Sequence, residues 1–279
     1  MGTGCRRAIL FLLFSPLFGT GFAQTETPVK VDKPLKSYSH WYFGAEYGVP
    51  FLFGDFTSFS ADKTYVGSQF GGFAGYQVNS WIGIEASART GYTRMGAKSY
   101  AGDYLMNADG MTYYTNQDFN TWKYKDVFSK VHFTNIGLQM NLNVNNFFGP
   151  NRGNRRWTVL LSPAVYAQHF STELINKADK SPLSGKKTDK WNIGIGGDVS
   201  LRYKISRAFD VQLRTGIIWV NNNKMDGIST LIKSKDHFMT SAGLSLIWKV
   251  GKKKEDNVLY ASRRAADVEI RYIEERAAS

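Results

Sequence analysis

Trp191-Asn192-Ile193-Gly194-Ile195-Gly196-Gly197-Asp198-Val199-Ser200-Leu201-Arg202-Tyr203-Lys204-Ile205 alternates from end to end. Trp191, Ile193, Ile195, Val199, Leu201, Tyr203 and Ile205 share one parity; Asn192, Asp198, Ser200, Arg202 and Lys204 share the other. Successive side chains of a β-strand point to opposite faces, so this stretch predicts a strand with one apolar and one polar face. A helix would scatter the same residues around its circumference. Residues 206–208 then interrupt the pattern, and 209–220 resumes it, with Phe209, Val211, Leu213, Ile217 and Trp219 opposite Asp210, Gln212, Arg214 and Gly216. Two such strands across a tight turn predict a hairpin. Centred near Ser206, it sets Asp198 opposite Arg214 and Arg202 opposite Asp210.

Working outward, the same period appears over 40–51, 66–78, 82–92, 132–144, 156–168 and 238–250. Eight alternating segments result. The connections at 52–65, 79–81, 93–131, 145–155, 169–190, 206–208 and 221–237 run long, short, long, medium, long, short, long. A soluble sandwich has no reason to sort its loops by side. A membrane barrel does, with short periplasmic turns and longer outer loops. Composition agrees: 43% of the chain is hydrophobic and 15% aromatic, so a disordered chain is excluded. The one continuous apolar stretch lies near the N-terminus, which excludes a bundle of membrane helices. The expected fold class is therefore all-β: an eight-stranded antiparallel up-and-down transmembrane barrel over 40–250.

The parity divides the side chains between lipid and lumen. Trp41, Trp157 and Trp248 fall near the periplasmic strand ends and Trp191 and Trp219 near the outer ends, all facing outward. They are read as aromatic girdles at the two interfaces. Inward parity collects Glu46, Glu85, Arg89, Asp198, Arg202, Asp210, Arg214 and Lys249. A barrel of eight strands is just wide enough for side chains to fill, so these are read as a charge network plugging the lumen. The longest loop carries Tyr100, Tyr104, Tyr113, Tyr114, Trp122 and Tyr124, the preferred surface for binding because such side chains join large contact area to a polar tip.

Both ends lie outside the barrel. Arg6 and Arg7, the apolar run over 8–18 and Gly21-Phe22-Ala23 have the layout of a secretory signal over 1–23. Residues 24–39 follow as a periplasmic segment. The one cysteine, Cys5, leaves with the signal, so the mature chain holds no disulfide, thiol nucleophile or cysteine metal site. The tail at 251–279 is charged, opens on Lys252-Lys253-Lys254, and is expected to be a solvated periplasmic extension or a docking peptide for an envelope protein partner.

This layout resembles the small outer-membrane barrels of the OmpA/OmpX type. The openings Trp41-Tyr42-Phe43-Gly44 and Gly71-Gly72-Phe73-Ala74-Gly75-Tyr76 also resemble the porin-like outer-membrane β-barrel family of Bacteroidota, which includes export components of the PorT and PorG kind. The resemblance implies an outer-membrane location in a Gram-negative bacterium, and it speaks to fold more than to role. In one respect the chain departs from that pattern. Such barrels often end on an aromatic residue, whereas here a charged tail follows Val250.

Chemistry-bearing constellations are thin. Of His40, His132, His169 and His237, the last three lie near the outer rim, with His132 and His169 nearly opposite each other and facing outward. Ser171 and Glu173 follow His169, from which an acyl hydrolase acting on lipid can be drawn, but no spacing compels it. No catalytic set, metal site or cofactor is assigned. The formal charge of +12 is spread over loops and tail, which suits lipopolysaccharide and lipid headgroups and argues against nucleic acid. The expected role is non-enzymatic: envelope structure or surface-loop binding, with an export or assembly subunit as the first alternative and a lipid-modifying enzyme as the second.

Overall fold

The computed structural model describes residues 38–98, 104–107, 111–113, 121–148, 155–183, 188–220, 225–229, 237–252 and 255–261. The expected signal over 1–23 and most of the charged tail lie outside them. Eight long strands carry the chain: β1 (Trp41–Phe53), β2 (Ser68–Gln77), β3 (Ile82–Ala97), β4 (Val127–Asn143), β5 (Trp157–Asn176), β6 (Thr188–Lys204), β7 (Phe209–Val220) and β8 (His237–Lys249). Each pairs antiparallel with its sequence neighbours, and β8 pairs with β1, where Trp248 faces Phe43 and Phe238 faces Phe53. The sheet is thus a closed ring with no free edge, which satisfies every strand within the wall.

The outer face shows why the ring belongs in lipid. Ile193 is 79% exposed, Ile195 65%, Phe70 62% and Leu244 58%. A contiguous apolar surface of this kind is not stable in water, and it matches the hydrocarbon band of a membrane barrel. The five expected girdle tryptophans all face outward, each between 52% and 59% exposed. Trp41 and Trp157 open β1 and β5, and Trp248 closes β8 at the same end. Trp191 and Trp219 mark the opposite end. This is the wall of an outer-membrane β-barrel.

Four strands run farther outward than alternation alone foretold. β3 continues to Ala97, β4 begins at Val127, β5 continues to Asn176 and β6 begins at Thr188. The physical reason is a reversal of contrast. Above the lipid the wall faces water, so its outward residues become polar (Arg94, Lys130, His132) and its inward residues apolar (Met95, Val131, Phe133, Phe170). A pattern keyed to apolar outward residues stops there, although the strand does not.

That reversal also divides the interior. The outer half is filled by a hydrophobic cluster that includes Leu52, Phe56, Met95, Val131, Phe133, Phe170, Met225 and Ile228. The inner half holds the network of inward charges. Short strands at Met106–Asn107 and Ile228–Ser229 pair across the outer mouth, and Tyr38–Ser39 pairs with Asp256–Asn257 at the inner one.

Candidate functional site

The lumen holds three carboxylates and three guanidiniums in one connected layer. Arg89 reaches Glu46 at 3.1 Å and Asp198 at 3.2 Å; Arg214 reaches Glu85 at 2.7 Å, Glu46 at 3.5 Å and Asp198 at 3.8 Å. Glu85 also accepts from the Tyr42 hydroxyl (2.9 Å), Gln139 (3.0 Å) and Asn141 (3.1 Å). Arg202 lies over the Tyr42 ring and Arg214 over Phe73, each 4.8 Å from the ring centre. Charges this deep are costly unless paired, and each guanidinium here has a carboxylate or amide partner.

The register differs from the expected one. Arg214 faces Ser200, Asp198 faces Gly216, Arg202 faces Gln212 and Asp210 faces Lys204. The turn is responsible. The Ser206 hydroxyl accepts the backbone N–H groups of Ala208 and Phe209, which makes Ser206 the first residue of the turn and centres the hairpin on Arg207. Arg202 therefore donates from Nε to Gln212 at 2.8 Å instead of meeting Asp210. Asp210 pairs instead with Lys249 and accepts from the Tyr260 hydroxyl at 2.7 Å. Asp198 turns into the space above Gly216, where a Cβ would fall 1.8 Å from its Oδ1, and from there it reaches across the lumen to Arg89.

Below this layer the chain closes its own inner mouth. Contrary to a wholly solvated tail, residues 255–261 fold back as a strap with Val258, Leu259, Tyr260 and Ala261 buried. Leu259 and Tyr260 pack on Leu160, and Asp256 accepts from Lys204 at 2.9 Å. The ammonium groups of Lys204 and Lys249 sit over the Tyr260 ring, 4.7 and 4.8 Å from its centre. Burial and the neighbouring Asp210 hold the Tyr260 phenol well above its ordinary pKa.

The outer loops turn inward as well. Tyr124 is buried, and Tyr113 and Trp122 pack against the apolar cluster, so these three do not form the expected binding surface. Tyr104 remains 54% exposed, and Tyr100 and Tyr114 lie outside the described residues. The loop packs on itself because large aromatic rings gain more from the dry mouth of the barrel than from water. Asp62 on the first loop ties to Lys177 beyond β5 at 2.7 Å.

One cluster in this mouth had no signal in the sequence. Asp226 is fully buried; its carboxylate accepts the N–H of Phe56 at 2.9 Å and of Ile228 at 3.2 Å. His237, also fully buried, brings Nε2 to 3.6 Å from that carboxylate, and Asp55 stands beside both. Burial pushes the Asp226 carboxyl up to about 7 against the pull of its backbone donors. These residues lie on the first outer loop, the fourth outer loop and the start of β8, so only the closed ring brings them together.

On the outer wall, His132 faces Ser171 and His169 faces Thr134, two residues away from the expected His132–His169 match. His169 Nε2 meets Asp189 Oδ1 at 2.5 Å, and Ser171 lies directly opposite Asp189. Glu173 pairs with Lys130 across the strands and is not the acid beside His169.

By sequence, the chain matches no protein-family profile and no curated protein. It is similar in fold to Neisserial surface protein A, at 12% identity, covering 75% of this chain and 97% of that one with a TM-score of 0.43. Ail, the attachment invasion locus protein of Yersinia pestis in complex with the heparin analogue sucrose octasulfate, is 9% identical over 77% of this chain and 100% of its own, with a TM-score of 0.43. OprG from Pseudomonas aeruginosa is 10% identical over 78% and 99%, with a TM-score of 0.41.

Proposed function

We propose that the chain is a non-enzymatic, non-conducting outer-membrane barrel that serves the envelope as structure or through its outer surface. One observation carries this reading: the lumen is closed at three successive levels by the apolar cluster, the ion network and the C-terminal strap. A pore needs a continuous wet path, and an eight-stranded ring filled by the described residues at these levels supports a closed lumen instead. The outward row above the lipid band sets Arg94 directly opposite Lys130, which suits the phosphate groups of lipopolysaccharide in the outer leaflet. Exposed Tyr104, Met111 and Phe59 at the loop ends supply the contact surface in place of the buried aromatics. Reconstitution into planar bilayers tests the reading: silent membranes are expected, and stable ohmic steps from the folded protein would reject it. Copies pulled from detergent with a stoichiometric envelope partner would instead favour the export or assembly alternative, with the tail as docking peptide.

A second reading has its own observation. His169, Ser171 and Asp189 lie together on the outward face at headgroup height, with the imidazole already on the carboxylate at 2.5 Å. That pairing orients a base on the wall face that also carries Ser171, the residue types of serine hydrolysis. Loss of ester groups from outer-leaflet lipid that stops in His169→Ala would move the protein to this class.

A further inference from the structure

We infer that Asp55, Asp226 and His237 bind a first-row divalent cation, zinc by its donor chemistry, at the outer mouth of the barrel. The ligand atoms of the three residues all lie within 4.8 Å of one another. His237 Nε2 and Asp226 Oδ2 are 3.6 Å apart. Two ligands of one tetrahedral zinc, each about 2.1 Å from the metal, stand roughly 3.4 Å apart, so this pair needs to close by only a few tenths of an ångström.

A separate observation places the backbone of Gly54 directly against both donor groups. A Cβ on Gly54 would fall 2.6 Å from His237 Nε2 and 3.0 Å from Asp226 Oδ2. Having no side chain, Gly54 lets the imidazole and the carboxylate approach each other against its backbone. Any other residue would push them aside. The donors are one nitrogen and carboxylate oxygens. Calcium and magnesium prefer oxygen alone, whereas imidazole with carboxylate suits zinc and its neighbours. Three protein ligands leave a fourth position for water, as in open zinc sites.

The partner of the other ring nitrogen sets the strength. The Met225 N–H reaches His237 Nδ1 at 3.3 Å, so the ion-free ring carries its proton on Nε2. Binding through Nε2 moves that proton to Nδ1 and gives up this long bond. The affinity therefore falls below that of sites whose second ring nitrogen already donates. In return the ion ties the first loop, the fourth loop and β8 into one unit over the apolar cluster.

The test uses the full folded barrel in detergent, stripped with a chelator and titrated with Zn2+ in a calorimeter, with Co2+ as the spectroscopic probe. The chain's one cysteine is Cys5, so strand and loop residues add no thiolate band to the cobalt spectrum. One ion per chain is expected, and His237→Gln and Asp226→Asn should each weaken it by about tenfold or more. His169→Gln, which alters the exposed His169–Asp189 contact, should leave it unchanged. Gly54→Ala retains all three ligands, yet its Cβ would displace the imidazole and the carboxylate, and binding should be lost there too. If these variants do not fold, X-ray absorption on the zinc-loaded wild type decides, with one imidazole nitrogen among oxygen ligands expected. Absence of zinc binding, tighter calcium than zinc binding, a bound zinc without an imidazole ligand, or loss of the site in His169→Gln would each overturn the assignment.

Discussion

Arg214→Met is the sharpest perturbation of the lumen. The methionine stem keeps the packing over Phe73 and removes the charge. The layer balances Glu46, Glu85 and Asp198 against Arg89, Arg202 and Arg214, and Arg214 alone touches all three carboxylates, at 3.5, 2.7 and 3.8 Å. Its loss leaves one buried negative charge uncompensated, a change that costs about 3–5 kcal/mol in other buried networks. Adding Glu85→Gln restores neutrality where the contact was shortest, and the pair should be coupled by roughly 1–3 kcal/mol. The distances also rank the partners. Asp198 should couple more strongly to Arg89, at 3.2 Å, than to Arg214. The assay is reversible urea unfolding of the barrel in phospholipid vesicles, followed by tryptophan fluorescence and heat-modifiable gel mobility. Additive losses for Arg214→Met and Glu85→Gln would refute the network. So would an Asp198–Arg214 coupling larger than that of Glu85–Arg214.

Tyr260→Phe removes the hydroxyl from Asp210 and should loosen the strap by about 1–2 kcal/mol, read as faster protease cutting within 255–261 on folded protein whose gel shift is unchanged. Gly75→Ala should destabilise the barrel by about 1–3 kcal/mol, because the new Cβ would fall 2.1 Å from the buried Tyr42 ring; combining it with Tyr42→Ala should cost less than the two single losses together in the same urea assay. Burial works upward on Asp62, but hydrogen bonds from Lys177 and Ser60 outweigh it and hold the carboxyl below the usual carboxylate range. A depressed folded-state pKa contributes stability above the unfolded value, near 4, that is lost as the pH falls through the folded one. Protease access to the first and third outer loops should accordingly rise on acidification below about pH 4, and Asp62→Asn should abolish that rise. With the outer loops facing the medium, protease on intact cells should cut near Tyr104 and spare an epitope placed after Ser279. Cutting of the epitope would invert the topology.

The run from Trp191 to Ile205 was enough to make the strand, its two faces and the side that meets lipid legible. Alternation is a property of neighbouring residues, and the backbone turns it into geometry wherever the strand ends up. For the same reason the outward tryptophans and the inward charges could be read from parity alone. The choice of partner inside the ring could not. Arg214 and Glu85 meet although 129 residues separate them, because strands on opposite sides of a narrow lumen point at one axis. A turn that begins at Ser206 and centres on Arg207 moves every cross-strand match by two residues, and no hydrophobic pattern records that shift. The outer loops show the same limit. Tyr124 and Trp122 have the composition of a binding surface, yet the mouth of the barrel gives them a dry place to pack. Asp55, Asp226 and His237 sit in three separate stretches with no shared spacing. Closure of β8 onto β1 brings them together, so the ring itself, and not any local pattern, decides that they form one site.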